Sequence, residues 1–300
     1  MNKTFWAGKR VLVTGHTGFK GSWLVCWLQM MGADVTGYAL SPPEGPSLFT
    51  DARLGDYMRS IVGDVRNYDS LAHAFQLADP EIVIHLAAQA LVRPGYSDPL
   101  GTYGTNVTGT LHVLEAARHA RSLRVILIIT SDKAYENQEW VWGYREDDKI
   151  GGHDPYSNSK ACAELVVDCY RRSFFPPEQI AMHGIALATA RAGNVIGGGD
   201  SSADRLVPDI LRALSSGRSV DVRSPNSTRP WQFVLEAISG YLLLVEHLWA
   251  DGAHHTGAWN FGPDVSEVRS VSWIVDYLTR NWSTSARWSQ DAGTHPHEAK

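Results

Sequence analysis

The sequence predicts an α/β fold, a doubly wound parallel sheet with a smaller C-terminal lobe. Three observations predict it. Short apolar runs alternate with helical patterns through the first two-thirds of the chain. Glycines recur at every third position between the first run and the first helix. The alternation loosens after about Asn194. Near-continuous apolar strands separated by helices imply a sheet covered on both faces.

RVLVT (10–14) reads as a buried strand, and Leu24, Leu28 and Met31 then recur at helical spacing. DVTGYAL (34–40), MRSIV (58–62), EIVIHLAA (81–88), RVILIIT (124–130) and GIALATAR (184–191) supply five further strands. Helical stretches lie between most of them, notably 99–120 and 155–173. Beyond Asn194, the loop-like GGGD, RSPNSTRP and HHTG separate short helices near 206–216, 235–249 and 271–281. The division expected is residues 1–193 for a dinucleotide-binding domain and 194–300 for a lobe over the carboxyl edge of the sheet. The last residues, DAGTHPHEAK, form no closing element, as expected of a chain lacking a further terminal segment.

Three hundred residues suit one large domain, or one domain plus a lobe. A net charge of -5 provides no basic field for nucleic acid or a membrane surface. No apolar run approaches the ~18 residues of a membrane span, and MNKTFWAGKR is no signal peptide, so a cytoplasmic protein is expected. Cys162 and Cys169 share a predicted helix about 10 Å apart at ~1.5 Å per residue, too far for a disulfide. The three cysteines read as small buried thiols.

VLVTGHTGFKG places Gly15, Gly18 and Gly21 between a strand and a helix. The strand must turn sharply, the backbone must approach a pyrophosphate, and the helix must pack closely on the sheet. The helix N-terminus presents N–H donors to the anion. This is a Rossmann-type fingerprint, and its strand–turn–helix context raises it above a chance glycine pattern. The G-x-x-G-x-x-G spacing, with HLAAQ (85–89) and GTNVTGT (104–110), resembles the extended short-chain dehydrogenase/reductase family. The resemblance implies NAD held by Gly15, Thr17, Gly18, Phe19, Gly21, Asp64, Val65, Leu86, Ala87 and Ala88, together with Tyr156 and Lys160. Asp64 in VGDV is similar to the family's adenine-contacting Asp. At the end of the second strand Ala39, Leu40 and Ser41 stand where an acidic residue is usual, and no Arg is evident for a 2′-phosphate; NAD is preferred over NADP.

DPYSNSKACAE sets Tyr156 and Lys160 four apart on one helix face, behind the N-cap Asp154 and Pro155. Free tyrosine, with pKa ~10, is a poor base at neutral pH. A nearby ammonium and the helix N-terminus both favour phenolate. Such a tyrosine can take the proton of a secondary alcohol as its hydride leaves for nicotinamide.

TSDKAYEN (130–137) then delivers a hydroxyl, a carboxylate and an amine at the end of the fifth strand. The resemblance implies that Ser131 completes the set with Tyr156 and Lys160. Asp132 and Lys133 fall in register with the acid and base of the nucleotide-sugar 4,6-dehydratases. A Lys in the base position is similar to the branch of that family acting on CDP-glucose. GHTGFKGSWL, HLAAQALVR, RAGNVIGGGD, DRLVPD, TRPWQ and HPHEA carry the resemblance across almost the whole chain. It implies that NAD oxidises C4, Asp132 protonates the leaving C6 hydroxyl, and hydride returns to C6. Lys133 must be neutral to remove the C5 proton; enolate stabilisation and positioning of Asp132 are the other roles open to it. The resemblance also places Arg205, Arg229 and Asn194 on the phosphosugar, with Arg93 lining the sugar pocket. It further implies a homodimer or homotetramer through the helices at 99–120 and 155–173, and a place in deoxysugar, O-antigen and lipopolysaccharide biosynthesis. Ser201 and Phe233 depart from the family's GGGDW and WQH. His295, His297 and Glu298 lack a fourth ligand with sensible spacing, so no metal is expected.

Two other functions share parts of this pattern. A nucleotide-sugar 4-epimerase needs Tyr156 and Lys160 but no acid–base pair at 132–133. A dinucleotide-sensing regulator needs the glycine turn but neither pair.

Overall fold

The structure, a computed structural model, describes residues 1–291 and 293. Among these, seven strands form one parallel sheet: β1 Arg10–Thr14, β2 Asp34–Ala39, β3 Arg59–Val62, β4 Ile82–His85, β5 Val125–Ile129, β6 Ala186–Ala192 and β7 Gly257–Phe261. Their spatial order is β7-β6-β5-β4-β1-β2-β3. The order reverses between β1 and β4, and ligands of such sheets bind in the crevice outside that switch point.

Strand periodicity divides the core into two layers. Val11, Val13, Val125, Leu127 and Ile129 face one side, against helices Phe19–Met30 (α1) and Val234–Ala250. Leu12, Val83, Ile126 and Ile128 face the other, against Tyr68–Ala78, Gly109–Arg118 and Pro155–Ser173. The 155–173 helix starts where the sequence placed it: Asp154 accepts a hydrogen bond from Ser157 N–H at 3.0 Å, and Pro155 occupies the first turn.

Three features differ from the sequence expectation. Residues 234–261, expected in the lobe, return to the sheet: the 234–250 helix covers one face and β7 pairs with β6. The smaller lobe keeps its own apolar cluster of Ile210, Leu214, Val220, Val222, Ile274 and Val275. The stretch 99–120 is not one helix. Pro99–Tyr103 and Gly109–Arg118 are joined by a wider π turn, Gly104–Thr108. There Asn106 accepts from Gln89 N–H and donates to the Gln89 carbonyl, both at 2.9 Å, and to Ser159 Oγ at 2.8 Å. These bonds tie the turn to the β4 exit and to the 155–173 helix. Finally, the cysteines are free, but Cys169 is exposed and Cys26 and Cys162 are only half-buried, Cys26 packing against the edge of the core.

Candidate active site

A cleft of about 780 Å³ opens at the carboxyl edge of the sheet, over the switch point. The glycine turn forms its floor. Gly15 has φ +76°, and a Cβ there would stand 2.6 Å from Ala87 N. A Cβ at Gly21 would stand 2.1 Å from the Gly15 carbonyl oxygen. The chain can make this turn only without side chains. Gly18 caps α1 with no side-chain hydrogen bond, so the helix N-terminus faces the cleft through backbone alone. Thr17 Oγ1 donates to the Leu40 carbonyl at 3.0 Å and fixes the turn against β2. Phe19, Val65, Leu86, Ala87 and Ala88 continue the wall. This cradle fits a dinucleotide pyrophosphate. At its far end the Asp64 carboxylate accepts from Arg66 N at 2.9 Å and from Arg66 Nη2 at 2.6 Å. An arginine does therefore line the cleft beside Asp64, where the sequence reading noted none, and it is paired with Asp64.

On the opposite wall β5 ends in a tight turn, Asp132–Ala134, capped by Ser131, whose Oγ accepts from Lys133 N–H at 3.2 Å. Ser131 Oγ also donates to Asp132 Oδ1 at 3.2 Å. Tyr156 and Ser131 both border the cleft, and the Ser131 hydroxyl favours the Tyr156 phenolate. Lys160 Nζ donates to the Ile129 carbonyl at 3.3 Å. Ser131, Asp132, Lys133, Tyr156 and Lys160 thus border one cleft.

The electrostatics of this wall are set mainly by burial. Burial lowers Lys160 to about 7, helped by the charge of Lys20 and opposed by Glu164. Burial also pushes the Tyr156 phenol up, against the pull of the Ser131 hydroxyl and Arg205. The expected bias toward phenolate is therefore outweighed in the protein alone. Burial raises Asp132 as well, against Lys133, Ser131 and Arg229, so its carboxyl retains a proton more readily than an exposed one.

The lobe closes the cleft with Asn194, Arg205 and Arg229, and Arg93 faces them from the Rossmann side. Arg93 Nη1 meets Asp204 at 3.3 Å, and Arg205 Nη1 meets Asp200 at 3.4 Å. The sequence reading named the arginines but missed these two carboxylates. It also missed Lys20, inside the glycine fingerprint, which lines the cleft between Lys160, Asp132 and Arg205. Burial, then Arg205, lowers Lys20 to about 8, against the pull of Asp132. The available signal was a lone charge in an otherwise uncharged turn. Ser201 bonds the Pro46 carbonyl at 2.9 Å, and Phe233 is exposed, so neither departure reshapes the reactive wall. His295, His297 and Glu298 lie outside the described residues.

The pattern of the NAD dependent epimerase/dehydratase family matches residues 11–262, from β1 through the end of β7. The chain belongs to that family. NAD is the cofactor of this family, and the glycine cradle fits a dinucleotide of that kind. The chain is 52% identical over 299 residues to the CDP-glucose 4,6-dehydratase of Salmonella typhimurium, covering 100% of this chain and 83% of that one. It is 28% identical to the UDP-glucose 4-epimerase of Mycolicibacterium smegmatis over 68% of this chain and 72% of that one. Among solved structures, the dTDP-glucose 4,6-dehydratase of Bacillus anthracis in complex with NAD has a TM-score of 0.75 at 18% identity, covering 94% and 84% of the two chains. The UDP-glucose 4-epimerase of Thermotoga maritima with UDP-glucose has a TM-score of 0.77 at 21% identity, covering 93% and 85%. These two share the fold of this family member.

Proposed function

We propose that this chain is a CDP-glucose 4,6-dehydratase, converting CDP-glucose to CDP-4-keto-6-deoxyglucose and water. The observation that carries this reading is the meeting of Asp132 and Lys133 with Tyr156 and Lys160 in one cleft. The 52% identity to the Salmonella enzyme over the whole chain supports the substrate.

NAD, when bound, supplies the acceptor for the C4 hydride and its donor back to C6. The chain's own residues move the protons. Tyr156 Oη takes the C4 hydroxyl proton, and Ser131 Oγ holds that oxygen. Lys160, in its protonated form, adds positive charge beside them. The new ketone acidifies the C5–H, and Lys133 Nζ accepts that proton. Asp132 gives its proton to the C6 hydroxyl, so the C6–O bond breaks and water leaves. A proton then returns to C5. Burial of Asp132 suits it to be the acid of this pair. Asn194, Arg205 and Arg229 hold the diphosphate, with Arg93 and Lys20 contributing positive charge from the opposite wall.

The reading includes a homodimer or homotetramer, supported by Leu100, Leu111 and Leu165, which stand exposed on the helical segments 99–118 and 155–173. It also places the reaction in the cytoplasm, which suits three free cysteines, and in the supply of deoxysugars for lipopolysaccharide O-antigen. Among the described residues no helix is long and apolar enough to cross a membrane. Incubation of the purified protein with CDP-, dTDP-, UDP- and GDP-glucose tests the proposal by product mass. A product lighter by one water from CDP-glucose supports it. A product of unchanged mass favours an epimerase, and NAD binding without any turnover favours a dinucleotide sensor.

A further inference from the structure

The segment that carries Ser131, Asp132 and Lys133 is tied at both ends to one buried ion pair. Glu164 lies one helical turn beyond Lys160, and Arg191 lies on β6. Both side chains are 5% exposed. Arg191 Nε donates to Glu164 Oε1 at 2.9 Å and Arg191 Nη2 donates to Oε2 at 2.8 Å, a two-pronged contact. Thr189 Oγ1 donates to Oε2 at 2.9 Å. At the upstream end of the segment, Thr130 Oγ1 donates to Glu164 Oε1. At the downstream end, Arg191 Nη1 donates to Tyr135 Oη at 2.7 Å and to the Glu146 carbonyl at 3.0 Å. Tyr135 Oη in turn donates to Asn260 Oδ1 at 2.8 Å, at the end of β7. The Tyr135 ring stacks on Tyr144, with centroids 5.0 Å apart.

Glu164, Arg191 and Tyr135 do not border the cleft. Their role toward the reaction is therefore indirect. A buried ion pair is a weak device for stability, since its desolvation offsets much of its attraction. It is a strong device for orientation. The planar guanidinium fork fixes a helix, a strand and a loop relative to one another. Reactive groups must be held within about 0.5 Å of their productive geometry by supporting contacts of this kind.

We propose that the Glu164–Arg191 pair, acting through Thr130 and Tyr135, is the positioning device of the acid–base turn 131–133, required for the loss of water more than for the oxidation at C4. The proposal rests on the dehydratase reading. The oxidation depends on Tyr156 and Lys160, which a rigid helix carries, and on Ser131, which is anchored separately at the upstream end through Thr130. The elimination depends on Asp132 and Lys133, whose turn ends at Tyr135.

Tyr135→Phe is the discriminating variant, because it keeps the ring and removes only the hydroxyl. The NAD-loaded parent and variant are mixed with CDP-glucose in single turnover. Reduced-nicotinamide absorbance reports C4 oxidation, product mass reports water loss, and the melting temperature of each is recorded. The expected result is water loss slowed about tenfold or more, with oxidation changed by no more than about twofold, so that the absorbance persists. Arg191→Lys keeps the charge and loses the fork, and should show the same split. Equal slowing of both steps, or water loss at the parental rate in Tyr135→Phe, overturns the positioning role. A parent that releases no dehydrated product overturns the dehydratase reading instead.

Discussion

The Asp132 carboxylate packs against the backbone of Gly193: a Cβ built at Gly193 would lie 2.8 Å from Asp132 Oδ2 and 2.7 Å from Pro230 Cγ. The proposed acid of β5 therefore owes its place to a missing side chain after β6. Gly193 has no positive φ, so an alanine there is not strained by its backbone. Gly193→Ala should displace the carboxyl by roughly the tenths of an ångström to an ångström that costs about 10²-fold in rate. The check is kcat against KM by product mass, with circular dichroism to confirm the fold; kcat should fall and KM change little.

Asp132→Asn and Lys133→Ala separate the two halves of the proposed reaction. Each should retain C4 oxidation and lose elimination by about 10² to 10⁴-fold, the range for a positioned acid or base. Single-turnover absorbance and product mass read the two steps. Solvent deuterium at C5 should appear in Asp132→Asn and fail to appear in Lys133→Ala. Elimination at the parental rate in both variants contradicts the assignment.

Substrate affinity should weaken as pH rises. Lys160 and Lys20 titrate at about 7 and about 8, both lowered first by burial. Below that range both amines are charged and attract the diphosphate. As pH climbs through it they lose protons, the cleft loses positive charge, and Kd rises. CDP binding followed by calorimetry from pH ~7 to ~9 should show this loss, and Lys20→Met should weaken binding about tenfold at the lower end and flatten the profile. A flat parental profile contradicts a role for either amine in binding.

Gly15→Ala places a Cβ 2.6 Å from Ala87 N at a positive φ. The turn must open, so NAD affinity should fall by at least about tenfold and the melting temperature should drop. Fluorescence titration with NAD and thermal melts read the two effects.

Six of the seven sheet strands and the side chains that border the cleft were legible in the sequence, because both are written locally. The glycine turn, the Tyr156–Lys160 spacing and the Thr130–Lys133 run each sit at a strand end or on one helix face, where period and position decide orientation. What was not legible depends on contacts between distant segments. The return of 257–261 to the sheet follows from pairing with β6, which no local pattern announces. The π turn at 104–108 is stabilised by Asn106 reaching Gln89 and Ser159. Lys20 looks like a surface lysine until Lys160, Asp132 and Arg205 are brought beside it. The carboxylates of Asp200 and Asp204 are likewise visible as arginine partners only once the lobe folds over the cleft.

The most direct test of the central claim is mass spectrometry of the product formed from CDP-glucose deuterated at C4, with NAD-loaded protein and no added cofactor. The account predicts a product lighter than the substrate by one water, with the deuterium carried to C6 of the same molecule. A product of unchanged mass, or one whose deuterium never reaches C6, contradicts it.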